Sequence, residues 1–214
     1  MDFDRLNELA FSYMGKTKSH KAREIGATYY HGMRVSTGVI ELRKKYTDDD
    51  SMDDILRCAA MFHDIGKGTE PHNHTGAVLV RDLLKNEVTE NELDQICRLI
   101  VAHCDRKPGS EAHSWDEKLL QDADLLDHYG SQGIWMAISY YAYTTQQGMD
   151  QVPAFYMSEW PKQVAEHRTL LNYDFSKVIF DDKVAFEYQI AERMEIEKNG
   201  GYQPFPHFSQ TFSP

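Results

Sequence analysis

Apolar residues recur three and four apart in segment after segment of this chain, whereas alternating runs of Val, Ile and Thr bounded by tight turns hardly occur. One face of a helix repeats about every 3.6 residues and one face of a strand every two, so this spacing predicts an all-α protein. Helices are expected over roughly 3–14, 20–45, 52–63, 72–86, 90–103, 115–128, 131–147, 158–172 and 178–198. The breaks carry turn chemistry: "YTDDDSMDD" offers carboxylates that can cap a helix, "GKGTEP" has two glycines and a proline, and "DRKPGSEAHS" contains Pro108-Gly109. No internal repeat or low-complexity tract interrupts the pattern. With 214 residues, 41% of them hydrophobic, one core is the economical reading. Roughly, residues 1–19 form an N-terminal helix, 20–145 the main helical domain, and 146–214 C-terminal helices with an irregular tail packed on the same domain. The tail "GGYQPFPHFSQTFSP" has no period and is either loose or an irregular strap.

No stretch reaches the ~20 apolar residues that span a bilayer, and "MDFDRLNELAFSYMGK" reads as an acidic amphipathic helix rather than an export signal. A cytoplasmic protein without membrane contact is expected. Cys58, Cys97 and Cys104 are odd in number and lack CxxC spacing, which argues against a disulfide framework and a thiolate zinc site; buried small hydrophobes are the expectation. A net charge of -11 excludes a broad nucleic-acid surface, because phosphate binding relies on a basic face that releases counterions.

Several of the ten histidines point inward. His31 shares a stripe with Val35, Gly38 and Leu42; His63 follows Leu56 and Ala60; His103 follows Ile96, Leu99 and Ile100. Asp64 adjoins His63, and Asp124 lies four after Leu120 on a half-apolar face. Taken singly, a histidine on an apolar face is an ordinary core residue bonded to a carbonyl, and an Asp near a helix end is a cap or ion-pair partner. Together they would need five separate partners, at ~1–3 kcal/mol for each polar group left unsatisfied. One divalent cation answers them all. His72, aligned with Gly76, Leu79 and Leu83, is a sixth candidate, while His74, aligned with Val78, Arg81 and Lys85, competes with it. His20, His113, His128, His167 and His207 take surface readings.

The order His31, His63-Asp64, Asp124, in the phrases "YYHGMRV", "FHDIGKG", "IVAHCD" and "LLQDADLLDHYGSQG", resembles the HD-domain metal-dependent phosphohydrolase superfamily, and most of all its small stand-alone bacterial members. The resemblance covers roughly residues 20–145 and implies an HD-type helical bundle. It makes His31, His63, Asp64 and Asp124 the ligands of one metal, with His72 and His103 as added ligands and Asp64 as a bridge where two metals bind. Where those members often place a further histidine and aspartate before the first histidine, this chain has "GATYYH", so substrate contacts there are not carried over.

Imidazole and carboxylate without thiolate suit Mn, Fe, Co, Ni, Zn or Mg, with Fe or Mn expected, as one ion or two. Such a centre activates water for attack on a phosphate mono- or diester, which predicts a hydrolase of a nucleotide or other small phosphorylated metabolite. Lys67, between Gly66 and Gly68, is a candidate to neutralise phosphoryl oxygens, or else a cation at a helix C-terminus; Arg106 and Lys107 are candidates at the pocket mouth, or else solvated. Asp127 is a candidate to hold a ligand histidine. Trp135, Tyr140, Tyr141 and Tyr143 could stack a base, but their helical spacing fits a core better. Two alternatives stay open: a di-iron oxygenase of the same superfamily, and a non-catalytic ligand sensor with a structural metal. A homodimer is compatible with the sequence.

Overall fold

The computed structural model describes residues 1–106 and 113–202. Among these there are ten helices and no strand: α1 (Phe3–Met14), α2 (Ala27–Tyr46), α3 (Asp53–Phe62), α4 (His72–Leu84), α5 (Glu90–Ala102), α6 (Trp115–Asp127), α7 (Ser131–Thr144), α8 (Gly148–Ser158), α9 (Trp160–Leu170) and α10 (Asp174–Lys198). The all-α expectation holds. Lys107 and most of the C-terminal tail lie outside the described residues.

Three expectations are corrected. Residues 20–26 are not helical: the Ala22 N–H donates to His20 Nδ1 (3.1 Å) and the Gly26 N–H to the Thr17 carbonyl (2.9 Å), so local acceptors compete with the helical ladder. α8 occupies a stretch that Gly148 and Pro153 mark as a break, because Val152, Pro153 and Tyr156 are buried where α8 packs on α7 and α10. Tertiary burial there outweighs poor local propensity. α3 begins without a side-chain cap; the acids Asp53 and Asp54 sit inside its first turn, where the helix dipole favours them. α5 and α6 do start on capping boxes, Thr89 with Glu92 and Ser114 with Glu117.

The core joins α2, α3, α5 and α6, with α4 against α5. Leu56, Phe62, Ile96, Leu99, Ile100, Leu119 and Leu120 are fully buried at its middle. α8 and α10 pack together and reach the rest through α6 and α7. No helix among the described residues is long and apolar enough to cross a membrane.

Candidate metal centre

The apolar stripes that bury α2, α3, α5 and α6 also carry His31, His63, His103 and Asp124 into the interior, all under a tenth exposed. Gly32 sits so close to α3 that a Cβ there would lie 2.4 Å from the Met61 carbonyl oxygen. That approach sets His31 beside His63. Gly66 packs equally tightly on the start of α4, where a Cβ would meet the His72 carbonyl at 2.2 Å, and this seats His72 over Asp64. His74, two residues on, is exposed. The phase of α4 thus turns His72, and not His74, toward Asp64.

The donors fall into two groups joined by Asp64. In the inner group, His31 Nε2 lies 3.2 Å from His63 Nε2 and 3.0 Å from Asp124 Oδ1, and His63 Nε2 is 3.5 Å from the same oxygen. In the outer group, His72 and His103 place their Nε2 atoms 3.4 and 3.6 Å from Asp64 Oδ1. The other carboxylate oxygen, Oδ2, stands 3.9 Å from His63 Nε2. Asp64 therefore offers one oxygen to each group.

Each imidazole is turned by a partner on its far side. His63 Nδ1–H donates to the Ala60 carbonyl (2.7 Å), His103 Nδ1–H to the Ile100 carbonyl (2.6 Å), and His31 Nδ1–H to Asp127 (2.7 Å). Asp127 is itself clamped by Arg34 at 2.8 and 2.9 Å. With Nδ1 committed, every Nε2 faces the centre, as metal-binding histidines require.

The electrostatics demand positive charge. Burial opposes ionisation of Asp64, but the charge of His63 and hydrogen bonds from His103 and His72 hold its carboxyl well below the usual range. Asp124 is likewise held low against burial, with Arg106 the main cause. Burial pushes His31 and His103 down, yet Asp124 and Asp127 raise His31 to about 9, and Asp64 with Cys104 raises His103 to about 10. Inward nitrogens 3.2 Å apart, ringed by ionised carboxylates, fit a divalent cation by donor type and by charge. Residues in this cluster form several groups of three that could hold an ion.

The other candidates divide. Lys67 Nζ lies 3.2 Å from Asp64 Oδ2, close to the centre and partly exposed. Arg106 is not a free cation at the mouth: its guanidinium pairs with Asp124, and its buried Nε has no hydrogen-bond partner among the described residues. Trp135, Tyr140 and Tyr143 are about half exposed, so the core expectation fails for them, while Tyr141 packs on Phe155. The surface readings of His113 and His167 are also corrected, while the imidazole of His128 stays 41% exposed. His113 bridges Glu117 and the Asp105 carbonyl, His167 bonds the Tyr129 hydroxyl, and His128 packs edge-on against His31 at the rim of the centre. His207 lies outside the described residues. Cys58 and Cys97 are buried as expected; Cys104 is exposed.

A cavity of about 440 Å³ opens on the centre, with His31 and Asp64 in its wall and Arg23, Arg34, Lys67 and Tyr140 around it. A second, of about 570 Å³, shares His128, Met136 and Tyr140 with it and continues toward Tyr156, Trp160 and Glu187. The larger hollow of about 830 Å³ on the outer side of α4 and α5 meets the cluster only at Cys104. Sequence reasoning missed Arg23 and Arg34; Arg34 stands in the phrase "YYHGMRV", three residues after His31, but nothing in the spacing says that it reaches the cavity and Asp127.

The fold is thus a helical bundle whose elements turn imidazoles and carboxylates onto one buried point, a donor set that could hold a divalent ion. Residues 28–129 match the family model of the HD domain, so this part of the chain is an HD domain. Solved structures share the fold. YpgQ of Bacillus subtilis, in a complex with ADP, is 19% identical with a TM-score of 0.62, over 92% of this chain and 98% of that one. An HD-superfamily hydrolase from Bacillus thuringiensis is 20% identical with a TM-score of 0.62, over 93% and 99%. A protein from Lactobacillus plantarum is 18% identical with a TM-score of 0.60, over 94% and 99%. No curated protein matches the sequence.

Proposed function

We propose that this protein is a metal-dependent phosphohydrolase acting on a phosphate mono- or diester of a nucleotide or another small metabolite. The observation that carries the reading is the placement of Asp64 between two histidine groups, one carboxylate oxygen toward each. His31, His63 and Asp124 would hold one ion and His72 and His103 a second, with Asp64 between them; Fe or Mn suits these donors. When bound, such ions supply Lewis acidity that activates water and clamps phosphoryl oxygens.

The chain's own residues do the rest. Lys67 sits beside Asp64 with its ammonium partly in the cavity, where it counters charge on the equatorial oxygens of a phosphoryl group. Arg23, only loosely paired with Glu24 at 3.5 Å, adds positive charge to the same wall, whereas Arg34 is paired with Asp127, so Lys67 and Arg23 offer an anionic substrate local attraction on an otherwise acidic protein. Tyr140, half exposed at the junction of the two cavities, offers a face for a base or other planar group. The ADP bound by YpgQ supports a nucleotide in this class of fold.

The test is a phosphate-release screen over nucleotides with Mn, Fe, Co, Ni, Zn and Mg, with and without dioxygen. Release that needs metal, persists anaerobically and disappears in His63→Ala and Asp64→Ala is the expected result. Turnover that requires iron and dioxygen would replace this reading with the oxygenase.

A further inference from the structure

The thiol of Cys104 stands at the outer group of donors. Its Sγ lies 3.2 Å from His72 Nε2 and 3.1 Å from His103 Nε2, and Asp64 Oδ1 is 3.4 and 3.6 Å from those same nitrogens. His72, His103 and Cys104, from α4 and the end of α5, thus bring three donor atoms within 4.8 Å of one another, with Asp64 Oδ1 beside both imidazoles. His103 is 2% exposed, its Nδ1 is taken by the Ile100 carbonyl, and its Nε2 faces the sulfur. A thiolate about 2.3 Å and an imidazole about 2.1 Å from a shared ion stand about 3.1 Å apart when the two bonds meet at a right angle, and about 3.6 Å apart at the tetrahedral angle. The observed separations of 3.2 and 3.1 Å lie near the short end of that range, within reach of one shared ion.

We propose that Cys104 supplies a thiolate to an ion held by His72, His103 and Asp64, making the outer position of the centre a mixed sulfur, nitrogen and oxygen site. This rests on the metal-centre reading and goes beyond it in the donor set. On binding, the thiol gives its proton to solvent and a sulfur lone pair to the ion; no electron is transferred. The inner position, with imidazole and carboxylate alone, keeps no such preference, whereas a thiolate draws the outer one toward Fe, Co or Zn and away from Mg. The exposure of Cys104 toward the hollow beside α4 and α5 leaves this ligand on the open side of the centre.

The test loads the full chain with Co(II) and records its absorption. An intense near-ultraviolet sulfur-to-cobalt charge-transfer band, together with weak visible ligand-field bands, is expected in the wild type. In Cys104→Ser the near-ultraviolet band should vanish while the visible bands remain. Because Cys58 and Cys97 are buried, alkylation of the wild type by iodoacetamide reports on Cys104, and saturating Co(II) should slow it at least roughly tenfold by occupying the thiolate. This second measurement decides the matter if Cys104→Ser does not fold. Visible bands without the charge-transfer band in the wild type, a charge-transfer band that survives in Cys104→Ser, or alkylation unaffected by Co(II) would each overturn the thiolate while leaving the metal centre standing. No cobalt spectrum at all would remove the centre and this inference with it.

Discussion

Glu187 on α10 is 1% exposed and lies under the start of α7, where it accepts hydrogen bonds from the Gly130 N–H and the Tyr156 hydroxyl. Burial pushes its carboxyl up from 4.5 to about 7, and those two bonds with the charge of Lys183 only partly oppose it. An acid with a raised folded value keeps its proton in the native state after the unfolded chain has lost it. Between about pH 4.5 and 7 the native state therefore binds more protons, and stability from this group falls as pH rises. At about 1.4 kcal/mol per pH unit across that gap, ionised Glu187 costs the fold about 3 kcal/mol, reached in full above pH 7. Glu187→Gln keeps an acceptor for Gly130 and a partner for the Tyr156 hydroxyl but cannot ionise. Urea unfolding of both chains at pH 5 and pH 8, at fixed metal concentration, isolates the effect, since other titrating groups largely cancel in the difference. The stability of Glu187→Gln relative to wild type should improve by about 2.5 kcal/mol from the lower pH to the higher, as a shift in midpoint with unchanged slope. Parallel pH profiles for the two proteins would refute a buried, proton-holding Glu187.

The other predictions concern the centre and the contacts that shape it. Asp127→Asn removes the carboxylate that orients His31, and metal retention measured by equilibrium dialysis should fall about 10–100-fold; unchanged retention would show that His31 needs no such support. Metal affinity should climb from pH 6 to pH 9, because His31 and His103, raised to about 9 and about 10, must give up protons to bind; a flat profile by calorimetry would contradict this. Gly32→Ala should destabilise the fold by about 1–3 kcal/mol in chemical denaturation and also weaken metal binding, because its methyl would meet the Met61 carbonyl; a variant as stable as wild type would place that approach elsewhere. Chelation should lower the melting temperature of metal-loaded protein, since an ion at about 100 times its Kd adds about 2.7 kcal/mol.

Much of the architecture was legible along the chain. The periodic stripes placed α1, α3, α4, α5 and α6 within a few residues and showed which faces of α2, α3, α5 and α6 carry His31, His63, His103 and Asp124, because helical periodicity is a local property that burial preserves. α8 was illegible, since Gly148 and Pro153 signal a break and only the partners that bury Val152 and Tyr156 make a helix there. Which of His72 and His74 turns inward was likewise decided by packing, through the seating of Gly66 on the start of α4. The aromatic stripe of α7 misled for the converse reason: spacing says that residues share a face, but not whether another helix covers it. Arg34 on Asp127, Arg106 on Asp124 and Cys104 beside two imidazoles are meetings of segments distant in sequence, or, for the cysteine, a matter of which side of a turn faces the centre. Pattern along the chain sets the direction of a side chain relative to its own helix; only the crossing of helices sets which atoms stand within three or four ångströms of each other.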